Sequence, residues 1–116
     1  MAFSSEEPLS EEHWKEEASS VINDIKDHVK DVHVSQKLKS NNKFIYLNLT
    51  TEEEENFCIE LSGAGFRIVG NTFDDDSQPR TKIYETPYSL LDEISPKYRE
   101  SFGTSLVNKL KALQNT

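Results

Sequence analysis

The sequence is short of apolar residues, of basic residues and of cysteine, and each shortage argues against a class of protein. Only 34% of its 116 residues are apolar, and the 21 acidic residues outnumber the 13 Lys and Arg residues, for a formal charge of −8. This charge argues against a general phosphate-binding or anionic-lipid-binding surface, because both depend on Lys and Arg. Length and composition together predict one acidic domain with a single core.

Signals for export and membrane insertion are also missing. Residues 1–10 contain Glu and no basic region followed by an apolar run, and no stretch approaches the roughly 18 apolar residues of a spanning helix. The single cysteine, Cys58, cannot form an internal disulfide, which suits a reducing compartment. We therefore expect a cytoplasmic or nucleocytoplasmic protein whose residues 1–10 form a flexible acidic tail.

Apolar residues recur at helical spacing near the start of the chain. From Glu11 to about Asp31 they fall on one stripe, and the remaining positions are nearly all polar. The stripe consists of Trp14, Ala18, Val21, Ile22, Ile25 and Val29. This spacing predicts a one-faced amphipathic helix.

Alternation of period two follows the helical segment. Val32 and Val34 predict a short strand or an extended connector. Three further strands are predicted in the segments 43–50, 57–61 and 66–70, and 82–84 is a candidate edge strand. Because the connecting loops are short, these strands predict an antiparallel meander.

Two Ser/Thr-Pro dipeptides mark helix starts, since a hydroxyl at the N-cap followed by proline favours helix initiation. Thr86-Pro87 predicts a helix to about Ile94, and Ser95-Pro96 predicts a helix over 96–114. The fold class is therefore α+β: an N-terminal helix, an antiparallel meander of three to four strands, and C-terminal helices packed on one sheet face, all in one domain over 11–116. The same dipeptides also fit proline-directed phosphorylation; capping explains both, and whether the protein is a kinase substrate stays open.

Signals for catalysis, metals and cofactors are weak. The segment 63–65 (GAG) lacks the third glycine of a dinucleotide fingerprint, and 74–76 (DDD) lacks the glycine and distal Glu of a calcium loop. The three histidines share no metal-ligand spacing with Cys58, whose strand position predicts a buried, inert thiol. We predict no catalytic residue, metal or cofactor. A small enzyme or ligand-binding domain is the least favoured alternative.

A second apolar stripe lies in the C-terminal segment. It consists of Tyr98, Phe102, Leu106, Leu110 and Leu113, and Val107 widens it. Helices that dock in a partner's groove show this spacing, and so do helices that cover their own sheet; periodicity alone favours the second. In one interpretation the stripe has two parts: Tyr98 and Phe102 anchor the helix to the sheet, and the leucines form a ridge that docks on a partner. Residues 95–116 carry four basic residues and one acidic residue, so this segment is the one basic element.

Three segments resemble a known family. The stretch 85–113 (ETPYSLLDEISPKYRESFGTSLVNKLKAL), together with 60–70 (ELSGAGFRIVG) and 21–24 (VIND), is similar in order and spacing to the glycogen synthase kinase 3 interaction protein family. The resemblance implies a non-enzymatic protein whose helix 96–114 docks in an apolar groove of that kinase and restrains it. The implied kinase-binding residues are Phe102, Leu106, Val107, Leu110 and Leu113.

The resemblance also implies an alternative partner. Vertebrate members of the family anchor protein kinase A through its type II regulatory subunit, and the matching contacts here are Val21, Ile25 and Val29. This sequence departs from those members at Lys26-Asp27-His28, where they continue the apolar patch. Because the one remaining stripe is needed to cover the sheet, kinase A anchoring is less favoured than kinase 3 binding. A structural domain with a different protein partner is the other alternative.

Overall fold

The computed structural model describes residues 11–101, and in that range two helices and the start of a third accompany one sheet. The elements are α1 (Glu11–Ile25), a short 3-10 helix (Lys26–His28), β1 (Asp31–Val34), β2 (Phe44–Thr50), β3 (Asn56–Ser62), β4 (Gly65–Gly70) and α2 (Pro87–Ile94). A further helix, α3, is described over 96–101. The α+β class and the element order predicted from the sequence are confirmed.

The four strands form an antiparallel meander in the order β1-β2-β3-β4. The register places Leu47 opposite Ile59, and Ile59 opposite Ile68, so that the apolar side chains of three strands share one face. The turn between β3 and β4 requires glycine at Gly65, which has a φ of +128° and lies against the backbone of Tyr84. The glycine-rich segment 63–65 therefore belongs to the hairpin turn between β3 and β4.

The main core lies between this sheet face and the helices. Ala18 and Ile25 of α1, Leu90 and Leu91 of α2 and Tyr98 of α3 pack in one cluster with the sheet. The tightly buried positions from the strands are Ile45, Leu47, Leu49, Ile59 and Ile68. The helices thus cover one sheet face, as predicted.

The opposite sheet face carries a smaller cluster and a polar contact with a loop. Tyr46, Cys58 and Val69 pack there, with Leu38 and Phe44 at the edge. Residues 71–80 run close to this face, and a side chain at Gly70 would collide with the backbone of Asp75. Both faces of the sheet are therefore covered, one by helices and the other in part by loops.

Two predicted elements are shorter in the structure. The first helix was expected to reach about Asp31, but the α-helix ends at Ile25, a 3-10 turn follows, and Val29 is extended. The chain must straighten here because the Lys30 amide already donates to the Thr50 carbonyl beside β1. The candidate edge strand at 82–84 is reduced to one bridge between Tyr84 and Phe66.

Candidate functional site

The predicted docking surface lies mostly beyond the residues that the structure describes. Phe102, Leu106, Val107, Leu110 and Leu113 all lie outside 11–101. What the structure does describe is the base of the segment that carries them, where α3 begins at Pro96 as predicted. The structure therefore describes how the start of α3 is attached to the domain.

Ser95 joins α2 to α3 and serves both helices. Its amide donates to the Leu91 carbonyl at 2.8 Å, which ends α2. Its hydroxyl oxygen accepts from the Tyr98 amide at 3.2 Å, and its carbonyl accepts from the Arg99 amide at 3.1 Å, which starts α3. The Ser95 side chain is fully buried. The capping role predicted from the sequence is therefore confirmed by these contacts.

Glu53, in the turn between β2 and β3, completes the cap of α3. Its Oε2 accepts from the Lys97 amide at 2.7 Å and from the Ser95 hydroxyl at 3.2 Å. Burial acts to raise the pKa of the Glu53 carboxyl, but these hydrogen bonds outweigh it and hold the pKa below its usual value. Since Pro96 has no amide proton, every amide from 96 to 99 is either absent or bonded. The first turn of α3 is thus fully satisfied.

The turn that carries Glu53 is itself held in place. Thr51 is fully buried, its amide donates to the Glu55 carbonyl at 2.9 Å, and its hydroxyl accepts from the Glu55 amide at 3.2 Å. Glu54 adopts a φ of +66°, which directs its side chain to Lys30 at 3.7 Å. Of the four consecutive glutamates at 52–55, Glu53 is the one whose side chain reaches α3.

Two further contacts tie α3 to the domain. Tyr98 is 5% exposed and packs edge-to-face on His28 at a ring separation of 5.3 Å. Burial raises the pKa of the Tyr98 hydroxyl. Arg99 donates to the Asp92 carbonyl at 2.8 Å and lies 3.4 Å from the Asp92 carboxylate. The predicted anchoring of Tyr98 to the core is confirmed, whereas its proposed companion Phe102 lies outside the described residues.

The residues considered for regulatory-subunit binding face the core. Val21, Ile25 and Val29 are 8%, 2% and 6% exposed, and they belong to the main cluster with the sheet. A partner that contacts these side chains must first separate α1 from the sheet. In this fold the apolar stripe of α1 is already covered by the sheet.

The two Ser/Thr-Pro positions differ in exposure. Thr86 is exposed, and its hydroxyl accepts from the Ser89 amide at 3.1 Å as the N-cap of α2. Ser95 is fully buried beneath Glu53. Capping is confirmed at both positions.

A polar cluster joins the loop after β4 to the second sheet face. Asn48, 1% exposed, donates from its amide nitrogen to the Asp74 carboxylate and accepts from the Asp74 backbone amide, both at 2.9 Å. The Ser35 hydroxyl donates to the same carboxylate. The hydrogen bonds from Ser35 and Asn48 hold the pKa of Asp74 below its usual value. The cluster fastens the loop and satisfies a buried amide.

The remaining chemistry of the described residues is sparse. Cys58 is buried, and burial raises the pKa of its thiol to about 11, as an inert thiol requires. No group of three His, Cys, Asp or Glu within 11–101 is arranged to hold a metal ion. An open surface groove of about 550 Å³ lies between Phe57, Arg80 and Glu93. None of the helices in the described part of the chain is long and apolar enough to cross a bilayer.

Sequence reasoning missed Glu53 and Asp74. In the sequence, 52–56 and 74–79 are runs of acidic and polar residues, which are typical of a charged turn and a solvated loop. Glu53 bonds residues 42 and 44 positions away, and Asp74 bonds Asn48, 26 positions away. No local pattern signals such contacts, and only the pairing of the strands brings the partners together.

Comparisons with known proteins agree with the sequence resemblance. The sequence model of the GSKIP domain matches residues 14–113. The chain is 44% identical over 99 residues to the GSK3-beta interaction protein of Danio rerio, an alignment that covers 84% of this chain and 74% of that protein. It is 42% identical over 99 residues to the GSK3B-interacting protein of Homo sapiens, covering 84% and 71%. It is 33% identical over 94 residues to the protein GSKIP homolog of Drosophila melanogaster, covering 78% and 79%.

Proposed function

The chain belongs to the GSKIP domain family, and from that premise we propose that it is a non-enzymatic protein that binds glycogen synthase kinase 3 through its C-terminal amphipathic segment. The observation that carries the proposal is the extent of the match. The matched range 14–113 includes the whole second apolar stripe, and relatives above 40% identity are named for interaction with that kinase.

The fold supports this assignment by accounting for the other apolar surfaces. The stripe of α1 is buried against the sheet, and so are Leu90 and Leu91 of α2. Within 96–101, Tyr98 is the one buried side chain, and its neighbours are exposed. The base of α3 is therefore fixed to the domain by one ring and several hydrogen bonds. Because the stripes of α1 and α2 are buried, the docking candidate is the stripe beyond residue 101, with Leu106 and Leu110 at its centre.

The distribution of charge also supports docking through the C-terminal segment. Residues 95–116 carry four basic residues and one acidic residue in a chain of net charge −8. A basic segment on an acidic body favours encounter with an acidic groove rim through complementary potentials. The mechanism is then occupation of an apolar groove on the kinase, which excludes other groove ligands and so restrains the kinase. We propose that the protein acts in the cytoplasm, with entry to the nucleus.

A titration of glycogen synthase kinase 3 with wild type and two matched variants tests the proposal. Leu110→Asp removes an apolar anchor worth about 1.5–3 kcal/mol, so binding weakens tenfold or more. Asn108→Asp adds the same charge on the opposite side of the predicted helix and leaves affinity within about twofold. Thermal unfolding of all three proteins confirms that they fold. Equal binding by wild type and folded Leu110→Asp would overturn the proposal.

A further inference from the structure

The turn between β2 and β3 contacts the base of the proposed docking segment. Its Glu53 is the one acidic side chain of the described residues that accepts a backbone hydrogen bond from the first turn of α3. The predicted kinase-binding residues lie outside 11–101, and in the described residues the Glu53 carboxylate bonds the base of α3. The side chain therefore acts on the docking segment through the base of α3.

The contact has the features of a strong cap. The 2.7 Å distance from Oε2 to the Lys97 nitrogen is typical of a charge-assisted hydrogen bond. The carboxylate lies at the N-terminus of a helix, where the aligned peptide dipoles favour negative charge. The same oxygen also accepts from the buried Ser95 hydroxyl, which orients that hydroxyl for the Tyr98 amide. One oxygen thus organises two of the residues that set the direction of α3.

The anchor is rigid on its own side as well. Thr51 is buried and bonded to Glu55 by both its backbone and its side chain, so the conformation of the turn is held by contacts that do not involve α3. Arg99 and Tyr98 hold α3 against α2 and the 3-10 helix. Of these ties, the Glu53 contact alone connects the helix start to the sheet through a charged group.

We propose that Glu53 is a positioning residue for kinase binding: by fixing the start of α3 against the β2–β3 turn, it sets the direction in which the docking segment leaves the domain. This inference rests on the proposed function. Losing the contact lowers the fraction of molecules in which the segment is correctly presented, and apparent affinity falls with that fraction. The contacts made by the docking residues themselves are untouched.

The experiment is a titration of glycogen synthase kinase 3 with full-length variants of the turn. Glu53→Ala is expected to weaken binding measurably, by at most about fivefold, the factor that corresponds to the usual cost of a lost N-cap, about 1 kcal/mol. Glu53→Gln is expected to bind between Glu53→Ala and wild type, because its amide oxygen can accept both bonds that Oε2 accepts but lacks the charge that strengthens them. Glu54→Ala removes the same charge from the neighbouring residue, whose side chain is 74% exposed, and is expected to bind as wild type.

A second variant and a second readout keep the test decisive if Glu53→Ala folds poorly. Glu53→Asp keeps the charge but is one methylene too short to reach the Lys97 amide, so it is expected to bind more weakly than Glu53→Gln. Amide hydrogen exchange of the kinase-free protein is expected to speed up at 97–99 in Glu53→Asp and to stay unchanged in β2 and β3. Wild-type affinity in a folded Glu53→Ala or Glu53→Asp protein would overturn the inference. Absence of binding by wild type would instead overturn the proposed function.

Discussion

The two amphipathic segments of this chain, α1 and the C-terminal segment from Pro96, have similar apolar spacing but are held to the domain in different ways. In α1 the stripe is an integral part of the core, with Ala18 fully buried and Ile25 2% exposed. In α3 the described residues contribute one buried ring, Tyr98, and the rest of the attachment consists of hydrogen bonds to Glu53, Ser95 and Asp92. Apolar periodicity reveals that a helix has a face to bury but not which surface will cover it.

The largest expected effect is a loss of folding stability, and it comes from a substitution in α1. Ile25→Ala leaves a cavity between α1 and the sheet and is expected to reduce the free energy of unfolding by about 2–5 kcal/mol. Ser19→Ala, at an exposed position of the same helix, is expected to change it by less than about 0.5 kcal/mol. Urea unfolding measures both values. The molecules of Ile25→Ala that remain folded are expected to bind the kinase as wild type.

The opposite result for Ile25→Ala would contradict the different roles of α1 and the C-terminal segment. Retained stability in Ile25→Ala, together with a loss of kinase affinity, would mean that α1 is the docking element and the sheet does not need it. The burial of Val21, Ile25 and Val29 predicts the opposite. It also predicts that a partner of α1, such as a regulatory-subunit dimer, competes with folding.

A smaller effect is expected when the pH is lowered, namely a loss of amide protection at the start of α3. The pKa of Glu53 is lowered in the folded protein, so its contribution is fully present above the unfolded-state pKa of about 4.3. That contribution is lost as the pH falls through the lowered folded-state pKa. Amide protection at 97–99, corrected for the intrinsic exchange rate, is therefore expected to fall below about pH 4 before protection at 18–25 does, since the core contacts of α1 are apolar.

Glu53→Gln provides the control for the acid experiment. The glutamine accepts the same bonds without titrating, so the difference in protection between 97–99 and 18–25 is expected to stop depending on pH. Parallel loss of protection in both segments of the wild-type protein would show that the Glu53 contact does not hold α3 separately from the core.

The sequence predicted what depends on local pattern. The stripe from Trp14 to Val29, the alternation in 43–50 and the hydroxyl-proline pair at Ser95-Pro96 each specify a local structure, because packing and capping follow residue spacing. The class, the strand order of a meander and both helix starts are all confirmed. The end of α1 was misplaced by several residues, because pairing of β1 with β2 stops the helix before its apolar stripe does.

Polar contacts between distant segments could not be predicted in this way. Glu53 is one of four consecutive glutamates, and nothing in 52–55 distinguishes it. Its partner amide becomes available only because α2 ends at Ser95 beside the β2–β3 turn. Asp74 is likewise one of three aspartates, and its pairing with Asn48 depends on the path of the loop over the sheet. The long-range contacts of Glu53 and Asp74 can therefore be identified only from the folded structure.

The measurement that tests the account most directly is amide hydrogen exchange of the full-length protein with and without glycogen synthase kinase 3. The account predicts that the kinase slows exchange in 96–116, and that exchange in α1 and in β1 to β4 stays the same. Added protection confined to α1 or to the sheet, with none in 96–116, would contradict it.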